Sequence, residues 1–172
     1  YIGSASQQDG NLLLGGLQDN YSIQFTGTNY WNVVLGGDGS FNAIDPTDDQ
    51  RQYASYQYLN VFRTINNWSN SVQIYNHAST PDLYNNTAFI APFILCPSNT
   101  QVLYAATEEM LRSNNGGGNW FSTSGNVISA LGEPVISIGV SATNVDSVFA
   151  STAPSDTQHN HLWRSIDGGQ NF

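Results

Sequence analysis

Lysine is absent from the 172 residues. The whole basic complement is four arginines, Arg51, Arg63, Arg112 and Arg164, against 13 acidic side chains, for a formal charge of -9. Nucleic-acid binding draws most of its affinity from Lys and Arg neutralising phosphates, so a nucleic-acid partner is excluded. The same poverty removes attraction to an anionic membrane surface, and no apolar run approaches the roughly 20 residues a spanning helix needs, so membrane insertion is not expected. Cysteine occurs once: Cys96 has no internal disulfide partner and reads as a buried thiol. Charge of either sign is scarce, at 10% of residues, yet 12% are aromatic, which is enough apolar surface to drive folding and sets the chain apart from disordered compositions. The chain opens on Tyr-Ile-Gly-Ser with no basic leader, which reads as a mature or truncated start. Richness in amides and hydroxyls without lysine points to an extracellular or cell-surface protein.

What is present is a repeat. Phe62-Arg63-Thr64-Ile65-Asn66, Leu111-Arg112-Ser113-Asn114-Asn115-Gly116-Gly117 and Trp163-Arg164-Ser165-Ile166-Asp167-Gly168-Gly169 share one pattern: apolar, Arg, Ser or Thr, any residue, Asp or Asn. The arginines recur at about 50 residues. Upstream of each lies a second shared unit, Gln52-Tyr53-Ala54-Ser55, Val102-Leu103-Tyr104-Ala105 and Ser147-Val148-Phe149-Ala150, with a degenerate copy at Gly10-Asn11-Leu12-Leu13-Leu14-Gly15. The apolar runs are short, β-branched or aromatic, and bounded by Gly, Pro, Asn and Asp, so they read as strands, four to a unit. The second unit places them near Ser40–Ile44, Gln52–Gln57, Val61–Ile65 and Val72–Tyr75. The third places them near Ala88–Leu95, Gln101–Ala106, Met110–Ser113 and Asn119–Thr123. Four strands in a period of about 40 to 50 residues are the signature of β-propeller blades; a β-sandwich would explain the strands and not the repeat. The expected fold is therefore all-β, part of a single propeller domain with blades at roughly 1–36, 37–76, 77–125 and 126–172. The last blade is incomplete, because the chain stops at Phe172 where its fourth strand should begin.

Ser165-Ile166-Asp167-Gly168-Gly169-Gln170-Asn171-Phe172 matches the Asp-box, Ser/Thr-x-Asp-x-Gly-x-x-aromatic, at every defined position, and Ser113 to Trp120 matches it with Asn115 for Asp. In such a hairpin turn a short carboxylate or amide accepts backbone N–H bonds, glycine takes the positive φ, and the aromatic packs beneath. Ser113, Asn115, Gly117, Trp120, Ser165, Asp167, Gly169 and Phe172 are accordingly assigned structural roles. The copy at Thr64 to Trp68 has lost its glycines, so its turn is expected to be remodelled. These boxes make the chain resemble the Asp-box, or BNR-repeat, propellers, which include sialidases, xyloglucan-hydrolysing glycosidases and sortilin-type receptors. The resemblance implies that the boxes lie between third and fourth strands, away from the ligand face.

The opposite face would then carry the turns between second and third strands and the links between blades, with Tyr21, Tyr56, Tyr58 and Tyr84 as candidate binding residues. Aromatic rings beside Asp, Asn and Gln suit a neutral carbohydrate, and equally an ordinary solvated rim. Asp38 and Asp19 sit in turns on that face and are the candidate catalytic pair if the chain belongs to a glycoside hydrolase, which needs two carboxyl groups. Gly37-Asp38-Gly39-Ser40-Phe41 resembles the stretch around one catalytic acid in the xyloglucan-hydrolysing group, with Ser40 in place of a glycine. Sialidase chemistry is not expected: it resembles carboxylate clamping by an arginine cluster, and three of the four arginines belong to the repeat, leaving only Arg51 uncommitted. His159 and His161, with His77, lack a clear third ligand, so no metal is assigned. The Asp45-Pro46-Thr47-Asp48-Asp49 run is a possible calcium turn or an ordinary turn opener, and no other cofactor is expected. Two functions remain: a noncatalytic propeller module binding a glycan or protein partner through its loop face, with the remaining blades of a parent chain as its neighbours, or a fragment of a glycoside hydrolase.

Overall fold

The computed structural model describes residues 2–77, 87–123, 125, 127–129, 131–153 and 160–172. Among them every regular element is a strand apart from a single helical-turn residue at His77, and the strands form four antiparallel sheets. The first sheet is β1 (Ile2–Ala5), β2 (Leu12–Gly16), β3 (Ser22–Thr26) and β4 (Trp31–Leu35). The second is β5 (Gly39–Asp45), β6 (Asp48–Tyr56), β7 (Asn60–Thr64) and β8 (Val72–Asn76). The third is β9 (Phe93–Leu95), β10 (Leu103–Ala106), β11 (Met110–Ser113) and β12 (Phe121–Ser122), and the fourth is β13 (Val135–Val140), β14 (Val148–Thr152) and β15 (His161–Ser165). Strand order within each sheet follows the chain. The first strands lie beside one another, β1 on β5, β5 on β9 and β9 on β13. They wall a hollow of about 340 Å³ bordered by Ser4, Asn42, Phe93 and Ile138.

Burial follows position in the stack. In β2 buried and half-buried residues alternate, as expected of a strand covered on one face. All four residues of β10 are buried, because the third sheet is sandwiched: Leu103, Ala105 and Leu111 pack toward Tyr53, Leu59 and Val61 of the second sheet, while Tyr104, Ala106 and Met110 pack toward Val135, Val148 and Ala150 of the fourth. Tyr53, Tyr104 and Phe149 occupy equivalent second-strand positions, each opposite an arginine: Tyr53 and Arg63, Tyr104 and Arg112, Phe149 and Arg164. Cys96 is fully buried in the core between third and fourth sheets, and burial pushes its thiol up to about 12. The thiolate is the reactive form. Cys96 in the folded protein at pH 7.5 should therefore resist a disulfide reagent such as DTNB and react in full once guanidinium unfolds the chain; rapid native labelling would contradict this packing.

The turns that follow the arginines share one hydrogen-bond pattern. In the fourth sheet Ser165 Oγ donates to Asp167 Oδ1 (2.7 Å), Gly169 N–H donates to Ser165 Oγ (2.9 Å), and Asn171 N–H donates to Asp167 Oδ1 (3.0 Å). In the third, Ser113 Oγ donates to Asn115 Oδ1, Gly117 N–H to Ser113 Oγ, and Asn119 N–H to Asn115 Oδ1. The Thr64 copy overturns the expected remodelling. Thr64 Oγ1 donates to Asn66 Oδ1, Trp68 N–H to Thr64 Oγ1, and Asn70 N–H to Asn66 Oδ1. Asn67 (φ 51°) and Trp68 (φ 62°) take the left-handed conformations that Gly116 and Gly117 (φ 65° and 87°) take elsewhere. The strain of placing two side chains there is offset by what they hold: Asn67 Oδ1 accepts from Gln24 (2.7 Å) and Gln52 (2.8 Å), and the Trp68 indole donates to Gln52 (2.8 Å).

Hydrogen bonds from the Asn171 side chain, Ser165 and the Asn171 backbone bring the Asp167 carboxyl down to about 2, against an ordinary value of 3.8. A depressed folded pKa means that the stabilisation is complete above the unfolded value and is lost as pH falls from about 4 through about 2. An NMR titration of the Asp167 carboxyl should give a midpoint near 2, and D167N, which installs the residue found at Asn115, should remove this part of the acid sensitivity. An unshifted midpoint would show that the turn does not hold its carboxylate.

Candidate functional site

Strand direction divides the described turns between two sides. The box turns share one side with the turns between first and second strands, and they are joined there: Asn67 N–H donates to Gln50 O, Gly116 N–H to Gln101 O and Gly168 N–H to Asp146 O. Arg51 belongs to this side and is not uncommitted, because its guanidinium pairs with the buried Asp45 at 3.3 Å. Asp45 also accepts from the Thr47 amide (2.9 Å) and hydroxyl (2.8 Å). The carboxylates weighed for calcium are thus used on protein donors: Asp48 accepts from Gln50 N–H and Asp49 from Ser6 Oγ.

The other side gathers the ends of second and fourth strands and the starts of first and third. Asp19, Asp38, Glu108, Glu109 and Glu133 all lie there, and none of the four arginines does. Its centre is a backbone-on-backbone contact between the first and second sheets. A β-carbon on Gly16 would overlap the Ser40 carbonyl, and one on Gly39 would overlap the Tyr21 carbonyl. Gly39 N–H donates to Leu17 O (3.1 Å), so the β2–β3 turn is seated on the start of β5. That seating brings the two candidate carboxylate residues together. Asp38 Oδ1 accepts the Asp19 N–H at 2.8 Å, and Asp38 N–H donates to Gln57 Oε1 at 2.9 Å, so Asp38 ties the β2–β3 turn to the β6–β7 turn.

Three of the aromatic candidates lie in or beside the turns that this tie joins. Tyr21 follows the first turn at φ 69° with its side chain half exposed. Tyr56 packs against Phe62, ring centroids 5.6 Å apart. Tyr58 (φ 59°) donates its N–H to Phe89 O and stacks edge-on against the Phe89 ring at 5.2 Å. Tyr84 and His159 lie outside the described residues. Among the described residues, four of the six non-glycine residues with positive φ, namely Asp19, Tyr21, Tyr58 and Leu59, belong to this side, and strain held in place by surrounding contacts is a common mark of binding loops.

Around the rim at the fourth sheet is a cluster that sequence reading missed. Glu133, with its side chain 1% exposed, receives Thr152 Oγ1 and faces His161 Nδ1, both at 2.9 Å from Oε2. Trp163 Nε1 donates in turn to Thr152 Oγ1 (3.4 Å). These residues are far apart in sequence and no spacing announces them. On the third sheet, burial first and then the Glu109 charge push the Glu108 carboxyl up.

No family model matches the chain, and no curated protein matches it in sequence. Solved structures do resemble it. The xyloglucanase of glycoside hydrolase family GH74 from Xanthomonas campestris superposes with a TM-score of 0.68 at 16% identity, over 95% of this chain and 28% of that one. An ancestral GH74 enzyme gives 0.69 at 15% identity, over 98% of this chain and 23% of that one. YCF48 from Cyanidioschyzon merolae gives 0.64 at 14% identity, over 99% and 54%. All three are β-propellers. The four sheets are propeller blades. The identities carry the fold alone, and the chain spans only about a quarter to a half of the propeller chains it resembles. Among the described residues the first three blades have four strands each and the fourth has three, and the Asp38 tie joins the loops of the first and second.

Proposed function

We propose that this chain is part of an Asp-box propeller, secreted or cell-surface, whose acidic and aromatic loop face binds an uncharged glycan without cleaving it. The observation that carries the reading is the Asp38 tie. Asp38 bridges the loops of two blades, the loops that carry Tyr21 and Tyr58, on a side that bears no arginine. Pre-set aromatic rings stack on the C–H faces of sugars while fixed acceptors take their hydroxyls, and loops already held rigid lose little entropy on binding. The concentration of acids repels polyanions.

Calorimetric titration of the protein with xyloglucan oligosaccharides, and separately with a sulfated oligosaccharide, tests this. The neutral sugar should bind and the sulfated one should not. Y21A should weaken binding roughly 2- to 12-fold, the equivalent of about 0.5–1.5 kcal/mol for an aromatic contact. Tighter binding of the sulfated sugar, or a neutral-sugar affinity indifferent to Y21A, would sink the reading. A second reading, hydrolysis of the bound glycan, starts from the seating of Asp19 beside Asp38, whose carboxylate accepts the Asp19 backbone N–H across two blades, and from the need of glycosidases for two carboxyl groups on one face. It calls for release of reducing ends from xyloglucan that D38N abolishes; no release by the unaltered protein discards it.

A further inference from the structure

We propose, building on the glycan-binding reading, that the loop face selects hexose over pentose units by taking the hexose hydroxymethyl arm into a small hollow beside the Asp38 tie. The hollow has a volume of about 120 Å³ and is walled by Ile2, Gln18, Gly39, Ser40 and Ile90. It lies on the loop side, at the starts of β1 and β5, and adjoins the tie through the chain itself: Gln18 precedes Asp19 and Gly39 follows Asp38. Phe41 and Ala43 pack toward the core between second and third sheets, whereas Asn42 points the other way and donates from Nδ2 to Ile2 O at 2.8 Å. By the alternation of a strand, Ser40 shares the side of Asn42 and faces Ile2 and the first sheet. Ser40 is only 1% exposed, and its hydroxyl has no partner among the described residues. Buried hydroxyls are almost always paired. One left over in the wall of a hollow is ready to bond whatever enters.

Size and lining decide the occupant. A cavity of about 150 Å³ takes a benzene ring, so a hollow of about 120 Å³ admits a substituent of a sugar ring and not the ring itself. The side chains of Ile2 and Ile90 suit a methylene, while the Ser40 hydroxyl and the Gln18 amide suit a group that both donates and accepts a hydrogen bond. No arginine lies on this side to hold a carboxylate or sulfate arm. A hydroxymethyl group supplies the methylene and the hydroxyl together. A pentopyranose has no such arm.

Calorimetry of the full-length protein with cellotetraose and with xylotetraose tests this, because the two β-1,4-linked chains differ only in the hydroxymethyl group. Cellotetraose should bind at least about 10-fold more tightly, the low end for a pocket deprived of one methylene. S40A and Q18A should each weaken cellotetraose roughly 2- to 12-fold, the worth of one hydrogen bond, and leave xylotetraose unchanged. Gln18 is exposed and the Ser40 hydroxyl is unpartnered, so neither change removes a bond from the fold. Equal affinity for the two sugars would overturn the hydroxymethyl pocket and leave the glycan reading standing. A preference for cellotetraose that ignores both variants would overturn it too, by placing the arm elsewhere. Binding of neither tetrasaccharide would also overturn the pocket; if the xyloglucan oligosaccharides are inert as well, the glycan reading falls with it.

Discussion

Alanine at position 39 should lower the melting temperature by roughly 6–12 °C, the equivalent of about 3 kcal/mol or more. Gly39 is not in a left-handed conformation, so the cost is one of space. The added β-carbon would overlap the Tyr21 carbonyl and crowd Leu17 N, which are backbone atoms and have no rotamer through which to step aside. The loss extends beyond stability, because the same contact seats the β2–β3 turn and so aligns Asp19 N–H with Asp38. G39A should therefore weaken ligand binding as well as folding. G16A should behave alike, its β-carbon meeting Ser40. G10A is the control, since nothing lies within 4 Å of its β-carbon; a fall in Tm for G10A equal to that for G39A would contradict the steric origin.

The second large effect concerns the repeated tyrosines. Y104A should cost about 3–5 kcal/mol, the range for truncating a fully buried aromatic, since its ring is closed between third and fourth blades beneath Arg112, whose guanidinium carbon is 5.4 Å from the ring centroid. The conservative change separates packing from hydrogen bonding. Tyr104 Oη donates to Val145 O at 2.9 Å, so Y104F should cost about 1 kcal/mol. In the equivalent position Tyr53 Oη is buried without a partner, so Y53F should be neutral or stabilising. Urea unfolding of the three variants checks the order; a larger loss for Y53F than for Y104F would mean that the two positions are not built as described.

Much of the fold was written locally. Tyr53, Tyr104 and Phe149 announced equivalent strands because each stands opposite the repeated arginine, the first two buried against a neighbouring blade and Phe149 exposed, and the Ser113 and Ser165 turns announced themselves through glycines. β10 and β14 show where a repeat alone falls short: both carry the pattern, yet one is buried on both faces and the other on one, which depends on neighbours in space. The Thr64 turn was misread for a related reason. Its glycines are gone, but Gln24 from another blade holds Asn67 in the left-handed conformation. The candidate site was legible only in outline. Asp19 and Asp38 could be placed on one side from strand direction, whereas the bond between them depends on the close approach permitted by Gly16 and Gly39. Glu133 and His161 gave no local signal, being joined across 28 residues. Arg51 was left without a role although Asp45 stood six residues away, a distance that a tight hairpin closes.

The most direct test of the binding face is a ¹⁵N-resolved NMR titration with a xyloglucan oligosaccharide, followed residue by residue. Shift changes should concentrate at Asp19–Tyr21, Gly37–Gly39 and Tyr56–Leu59 while the box turns at 113–120 and 165–172 stay still. Changes centred on the box turns, or none at saturating sugar, would contradict a binding face organised by Asp38.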